Sequence, residues 1–374
     1  MWIGILKEKA PEQRVAASPD LVHSWIKGGH RVWVEQGAGM SASFDDASYL
    51  AVGASCTPMQ ERPADLEVLV VVHSLPHFET WQSVNPHAPL PKFLIGMLMP
   101  DKNRVLLEPW VVHGVTLFGL EAMPRTTRAQ GMDVLSSQAS LGGYQAVVEA
   151  ACLLPRCFPM MMTAAGTVAP ARVLVIGAGV AGLQALATAK RLGAVVRAFD
   201  TRPSVREQVQ SLGGQFVEVE GAVEDKSAGG YAVEQSEEYR QRQKALLEAE
   251  LLQADVVVTT AQIPGKQAPL LVPTSVLERM KAGAVVMDLA AGSGGNCEGT
   301  VDGQNLNLGR VLVCGRSAPA SSKAQDASRL YARNVGAFTA LLETGQPGIW
   351  DVNADELVQA CCLASQGSWT TPKS

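Results

Sequence analysis

The sequence predicts an α/β fold of two units, each a parallel sheet covered on both faces by helices. Three observations carry this. Short apolar runs of strand length alternate with helical patterns, and strand–helix repetition builds parallel sheets buried on both faces. The longest apolar patches, such as VLVVV at 68–72, are of strand length. A chain of 374 residues is long enough for two domains with two well-buried cores.

The elements follow in order. Residues 3–6 (IGIL) predict a strand, and 19–29 (PDLVHSWIKGG) a helix stopped by Gly28 and Gly29. Residues 31–36 (RVWVEQ) predict the next strand and 45–53 (DDASYLAVG) a short helix. Strands follow at 67–72, 92–98 and 115–121. A long helix is expected over 136–154, since Ala146, Val147, Ala150 and Leu153 share one helical face. Its length suits a connector. A second α/β series then begins at PARVLVIGAGVAG, with strands at 255–259, 284–289 and 310–315. Residues 321–343 predict a helix able to pack back onto the first unit. The expected organisation is therefore 1–135 plus 321–374 as a discontinuous first domain and 136–320 as the second. The tail from Gly367 has little core-forming content and is expected to be mobile.

Composition excludes several classes. Hydrophobic residues are 47% and charged residues 18%, a globular balance. A net charge of −5 argues against nucleic acid, which needs a basic footprint. No run approaches the roughly 18 apolar residues that cross a bilayer. The N-terminus lacks the pattern of a secretory signal. Seven cysteines, none at zinc-ribbon spacing, are expected to be reduced and mostly buried, as in a cytosolic protein. His73 and His77 are four apart, but Pro76 lies between them, so a loop with solvated imidazoles is expected and no metal site.

The segment VLVIGAGVAG carries G-x-G-x-x-G at Gly177, Gly179 and Gly182. A buried strand precedes it, a helix follows, and a second strand (VVRAF) ends at Asp200, 23 residues after Gly177. Gly177 permits the tight turn. Gly179 lets the backbone, with Val180 and Ala181, approach a pyrophosphate at the helix N-terminus. Gly182 lets helix and strand pack closely. Asp200 is placed to accept hydrogen bonds from the adenosine ribose, with Thr201 beside it. Its carboxylate would hold a 2′-hydroxyl and repel a 2′-phosphate. Arg202 could do the opposite, cover the adenine or face solvent. The more specific position of Asp200 favours NAD(H).

A second polar concentration lies upstream of the long connector helix: Arg125, Thr126, Thr127, Arg128, Gln130 and Asp133. From spacing alone, two readings stand. Arg125 and Asp133 form a local ion pair that braces the hinge, or the segment binds a ligand.

Across nearly its whole length the chain resembles the family that joins alanine dehydrogenase to the NAD(H)-binding component of the proton-translocating nicotinamide nucleotide transhydrogenase. The resemblance rests on GILKEKAPEQRVAASP, PRTTRAQGMDVLSSQ, FPMMMTAAGTVAPARVLVIGAGVAG, AGGYAVE, TTAQIPGKQAP and MDLAAGSGGNC. It implies two Rossmann-like domains with a nucleotide cleft between them, in a homodimer. It also implies that Arg125, Gln130 and Asp133 orient the nicotinamide and are the catalytic groups, with Ser136 joining them and Tyr144 lining the site. Gly230 and Tyr231 would close as a flap, and Ala261 and Gln262 would lie near the ribose and nicotinamide. Gln262 could equally be a solvent-facing turn residue. Four polar groups serve the keto acid in alanine dehydrogenase. Here the arginine is kept as Arg14, but Val72, Met97 and Gly292 occupy the other three positions.

The resemblance therefore implies direct hydride transfer between NADH here and NADP(H) on a partner domain, with membrane-spanning subunits on other chains. The location implied is cytoplasmic, peripheral to the inner membrane. Two alternatives are an amino-acid or imino-acid dehydrogenase and a non-catalytic NAD-binding subunit. Arg14 supports the first; Val72 and Gly292 oppose it.

Overall fold

The computed structural model describes residues 1–218, 237–262, 266–343, 349–353 and 355–370. In chain order the elements begin with β1 (Trp2–Ile5), α1 (Pro19–Lys27), β2 (Arg31–Glu35), α2 (Asp46–Ala51), β3 (Ser55–Thr57) and β4 (Val68–Val70). Then come α3 (Phe78–Val84), β5 (Phe93–Gly96), α4 (Pro100–Val112), β6 (Thr116–Gly119) and α5 (Val134–Leu153). The middle of the chain forms β7 (Met161–Thr163), β8 (Gly166–Val168), β9 (Arg172–Ile176), α6 (Val180–Arg191), β10 (Val195–Phe199), α7 (Arg206–Ser211) and β11 (Gln215–Val217). It continues with α8 (Glu237–Gln253), β12 (Val256–Thr259), α9 (Thr274–Leu277), β13 (Val285–Asp288), β14 (Asn305–Leu308) and β15 (Val311–Gly315). The last elements are α10 (Ala324–Leu342), α11 (Glu356–Cys361), β16 (Cys362–Ser365) and β17 (Ser368–Trp369). The chain divides into two compact units, Met1–Gln138 with Ser321–Ser374, and Ala139–Ala320.

The first unit is built on a sheet of order β3-β2-β1-β4-β5-β6-β16-β17. β1 to β6 run parallel. Every residue of β4, β5 and β6 is buried, which is why these strands are continuous apolar runs. The order reverses direction between β1 and β4, the doubly wound pattern that leaves a crevice at the carboxyl ends of those two strands. α1 shows its boundaries chemically. Ser18 caps its first turn, Pro19 opens it, and Lys27 sits in the last turn against the dipole. α10 buries Tyr331, Val335, Phe338 and Leu342 on one stripe, and the Tyr331 hydroxyl donates to the Val71 carbonyl at 2.9 Å.

Two expectations for this unit are corrected. The tail from Gly367 is ordered through Thr370: β16 runs antiparallel to β6, and β17 antiparallel to β16. Trp369 holds it, with the Arg104 guanidinium 3.7 Å over its ring and its indole N–H donating to Glu108 at 2.8 Å. Composition hid this because one anchoring aromatic and one short pairing suffice. His73 is not a solvated imidazole either. It lies in the loop after β4, half buried, with Nδ1 3.0 Å from the Met97 carbonyl oxygen. Burial, with the nearby Arg14 charge, holds its pKa below the ordinary value. His77 is exposed, as expected.

The second unit has order β11-β10-β9-β12-β13-β15-β14. All strands of this seven-stranded sheet pair in parallel except β14, an antiparallel edge on β15. The reversal falls between β9 and β12. α6 packs closely against its surroundings through small residues: a Cβ on Gly143 of α5 would meet the Ala181 carbonyl oxygen at 2.0 Å. Ahead of β9, β7 and β8 form a separate two-stranded hairpin whose residues are all exposed.

Four of the seven cysteines are buried, Cys152 and Cys157 are exposed, and all are free thiols. No helix among the described residues is long and apolar enough to cross a membrane.

Candidate nucleotide site

The carboxyl ends of β9 and β12 form the crevice of the second unit. Gly177 follows β9 with φ +97°, a backbone state closed to most side chains, and the Thr260 hydroxyl donates to its carbonyl at 3.0 Å. A Cβ on Gly182 would lie 1.8 Å from that same carbonyl, so the helix sits as close to the turn as glycine allows. Gly179 is different. A Cβ there would meet nothing within 4 Å, and it stands exposed with Val180 at the N-terminus of α6. Two of the three glycines are therefore explained by packing alone. The third faces open space at a helix N-terminus, where free N–H groups favour an anion. The residues present fit a pyrophosphate.

Asp200 closes the crevice after β10. Its Oδ2 accepts from the Ala178 N–H at 2.7 Å and from Arg202 Nη2 at 2.9 Å. Its Oδ1 accepts from the Arg202 backbone N–H at 2.8 Å and from Arg202 Nε at 2.9 Å. Burial alone would raise this carboxyl's pKa; the Arg202 fork and the Ala178 N–H outweigh it and hold the pKa below the usual range. Thr201 is exposed beside it.

The loop after β12 is clamped from a residue the sequence reading did not single out. Asn296, fully buried, accepts from the Ala261 N–H at 3.0 Å and donates to the carbonyls of Ala261 and Pro269, both at 2.8 Å. Asp288, also fully buried at the end of β13, accepts from the N–H groups of Asn296 and Cys297 and from the Thr300 and Thr259 hydroxyls. The Gln262 side chain donates to the Leu289 carbonyl at 2.9 Å while the residue stays exposed, so it faces solvent and is tethered to the end of β13. Asn296 stood inside the quoted MDLAAGSGGNC segment. Its role was invisible because its partner Ala261 lies 35 residues earlier. Gly230 and Tyr231 lie outside the described residues.

In the first unit the polar segment leads into α5. The Arg125–Asp133 ion pair does not form. Asp133 caps α5 instead, accepting from the Ser136 N–H at 2.9 Å and the Ser136 hydroxyl at 2.6 Å. Arg128 pairs with Asp355 and Glu356 at the start of α11. Arg125, Thr126, Thr127 and Gln130 are exposed. Arg125 and Gln130 have no side-chain partner among the described residues. The segment is held from below by Asn334 of α10, which donates to the Gly131 carbonyl at 2.8 Å and accepts from the Ser137 hydroxyl at 2.7 Å. Tyr144 of α5 is part-exposed, at 39%.

The reversal point of the first unit is filled by its own side chains. Glu8 accepts from the N–H groups of Val72, His73 and Ser74 at 2.6, 3.1 and 2.7 Å. Burial raises its pKa against those hydrogen bonds. Arg14, 3% exposed, forks onto Glu12 at 2.8 and 2.7 Å and donates to Gln138 at 2.7 Å. Val72 and Met97 are buried. In the second unit, a Cβ on Gly292 would meet the Ser317 Cβ at 2.8 Å, so an acidic side chain there would force Ser317 to move.

Two family models cover almost the whole chain: Alanine dehydrogenase/PNT, N-terminal domain, over residues 4–142, and Alanine dehydrogenase/PNT, C-terminal domain, over residues 146–372. The chain is 42% identical over 379 residues to the first part of the NAD(P) transhydrogenase alpha subunit of Rhodospirillum rubrum, covering 100% of this chain and 98% of that protein. It is 39% identical over 361 residues to NAD(P) transhydrogenase subunit alpha of Haemophilus influenzae, covering 96% of this chain and 69% of that protein. The solved structure of a transhydrogenase from Sinorhizobium meliloti superposes with a TM-score of 0.88 at 41% identity, covering 99% of this chain and 100% of the other. An L-alanine dehydrogenase structure superposes at 0.77 with 23% identity, a likeness of fold.

Proposed function

We propose that this chain, which belongs to the alanine dehydrogenase/PNT family, is the NAD(H)-binding component of a proton-translocating transhydrogenase. The observation that supports this most directly is the contrast between its two reversal points. One carries an open glycine at a helix N-terminus beside an ionised aspartate. The other is filled by Glu8 and by Arg14 with its partners. A relative at 42% identity with the name of a transhydrogenase subunit points the same way.

The bound nicotinamide supplies hydride at C4, and the acceptor is NADP⁺ carried on a partner domain. The protein's task is then positional: hold the dinucleotide, fix the ring's rotation and exclude water. Gly177, Gly179 and Gly182 would cradle the pyrophosphate, with Val180 and Ala181 offering helix N–H groups. Asp200 would meet the ribose hydroxyls and thereby select NAD(H). Arg125, Gln130, Asp133 and Ser136 are assigned to the carboxamide, which needs both a donor and an acceptor. Two of these are free to do so as they stand: Arg125 and Gln130 are exposed and have no side-chain partner among the described residues. Hydride transfer needs no acid or base, and none is assigned. The homodimer, the NADP(H)-binding and membrane-spanning partners, and a peripheral membrane location are part of the same proposal.

The alanine dehydrogenase reading loses its remaining support at Arg14, whose guanidinium is already engaged by Glu12 and Gln138. The test is Gln130→Asn. NADH affinity, read by fluorescence titration, should barely change. The rate of hydride transfer to a reducible NADP analogue, with an NADP-binding partner present, should fall on the order of 10-fold or more, since small misplacements cost about 100-fold. Transfer at the wild-type rate would remove Gln130 from the reacting centre.

A further inference from the structure

Asp200 is placed as a ribose acceptor, yet every acceptor position it has is already taken. An ionised carboxylate offers about four lone-pair sites. Four N–H donors fill them: Ala178 N and Arg202 N from the backbone, and Nε and Nη2 of the Arg202 side chain. The two backbone donors belong to the fingerprint turn and to the residue two positions after Asp200, so they stay with the fold. The two guanidinium donors belong to a side chain that is 32% exposed, while Asp200 is 6% exposed. A pair of ribose hydroxyls can therefore reach the carboxylate only by taking the places the fork now holds.

We propose that Arg202 is a specificity-determining residue, a latch whose fork the ribose hydroxyls must displace from Asp200. This rests on the reading that the second unit binds a nicotinamide dinucleotide. Two consequences follow from the charge balance. With the latch closed, the pair is neutral, so a 2′-phosphate meets less repulsion than an unpaired aspartate would impose. With Arg202 removed, the carboxylate regains two acceptor sites and its full negative field. With the latch closed the acid is held ionised near neutral pH, because the Arg202 fork and the Ala178 N–H keep its pKa below the usual carboxylate range. The preference for NADH over NADPH is thus set by the competition between a ribose diol and an intramolecular guanidinium. An acid alone, read from the sequence, would have implied a sharper preference.

The experiment titrates full-length protein with NADH and with NADPH, following nucleotide fluorescence, for the wild type and for Arg202→Ala, Arg202→Gln and Arg202→Lys. A hydrogen bond to a charged group is strong enough that its release should move affinity on the order of 10-fold. Arg202→Ala and Arg202→Gln should tighten NADH, weaken NADPH and raise the preference for NADH by about that factor. Arg202→Lys keeps the charge and loses the fork; it should tighten NADH while leaving NADPH near its wild-type affinity. Thermal melting of each variant separates a folding defect from a binding change, and Arg202→Gln keeps the side-chain stem through Cδ if the alanine variant fails to fold. An unchanged ratio in folded variants overturns the latch, as does weaker NADH binding, which would make Arg202 a ligand of the nucleotide. Wild-type protein that binds neither nucleotide overturns the nucleotide reading and the latch with it.

Discussion

Glu12 shows how much one buried side chain can hold. It receives Arg14 Nε and Nη2, the Arg14 N–H and the Ser321 hydroxyl. Burial alone would raise its pKa. The Arg14 hydrogen bonds and charge outweigh it and bring the value from 4.5 down to about 2. A carboxyl whose folded pKa lies below its unfolded one stabilises the fold above the unfolded value and stops doing so as pH falls through the folded one. Its contribution should therefore be complete above pH 4.5 and disappear towards pH 2. Glu12→Gln should cost about 3 kcal/mol at neutral pH, and the gap to wild type should close across that window. Urea unfolding of both proteins at stepped pH checks this; a gap independent of pH would show that packing, not charge, holds the site. The sequence had marked Arg14 as a substrate-binding candidate. Its partners, Glu12 two residues away and Gln138 far along the chain, turn it into a structural residue instead.

At the scale of an element, the β9–turn–α6 unit separates two kinds of glycine that a motif writes with one letter. Gly182 is required by the Gly177 carbonyl 1.8 Å from any Cβ it might carry, whereas Gly179 has open space around that position. Gly182→Ala should destabilise the protein by about 1–3 kcal/mol or more, because the clash is with backbone that cannot rotate away. Gly179→Ala should change stability by about 0.5 kcal/mol or less yet weaken NADH, since its methyl would occupy the approach to the helix N-terminus. Denaturant unfolding and NADH titration on both variants make the comparison. If Gly179→Ala binds NADH as wild type does, the open side of the turn is not where the pyrophosphate lies. The helix itself was legible beforehand, from a buried strand, a glycine turn and an amphipathic stretch. The short β3, the edge strand β14 and the C-terminal β16 and β17 were not, since none is a continuous apolar run of the kind that marked the buried strands.

For the molecule as a whole, the strand orders decide which edge of each sheet can serve a ligand. Both units follow the same doubly wound pattern through their parallel strands, and each has its reversal at its first and fourth such strand. A protein with both reversal points open would suit two ligands. Here one is closed by Glu8 and by Arg14 with its partners. The purified chain should therefore give no turnover with L-alanine and NAD⁺ in a spectrophotometric assay at millimolar alanine. Robust NADH formation would reopen the dehydrogenase reading. Light scattering of the same preparation should return twice the 39.6 kDa chain mass, as the proposed homodimer requires; a monomer would remove that element of the proposal.

The sequence by itself determined the α/β class, the order of most strands and helices, the nucleotide fingerprint and the acid that follows it. These are local: each is written within a few turns of helix or one strand, where side-chain spacing and backbone permission decide the outcome. Tertiary structure alone decided which strands are neighbours, that Asn296 clamps Ala261 and Asn334 clamps Gly131, and that the His73 ring turns inward to Met97. It also decided that Asp133 caps α5 rather than pairing with Arg125, although both partners lie within one short segment. The physical reason is the same in each case. A buried polar group takes whichever partner satisfies it in three dimensions, and competing partners nearby in the chain and far from it are equally compatible with the residues as written.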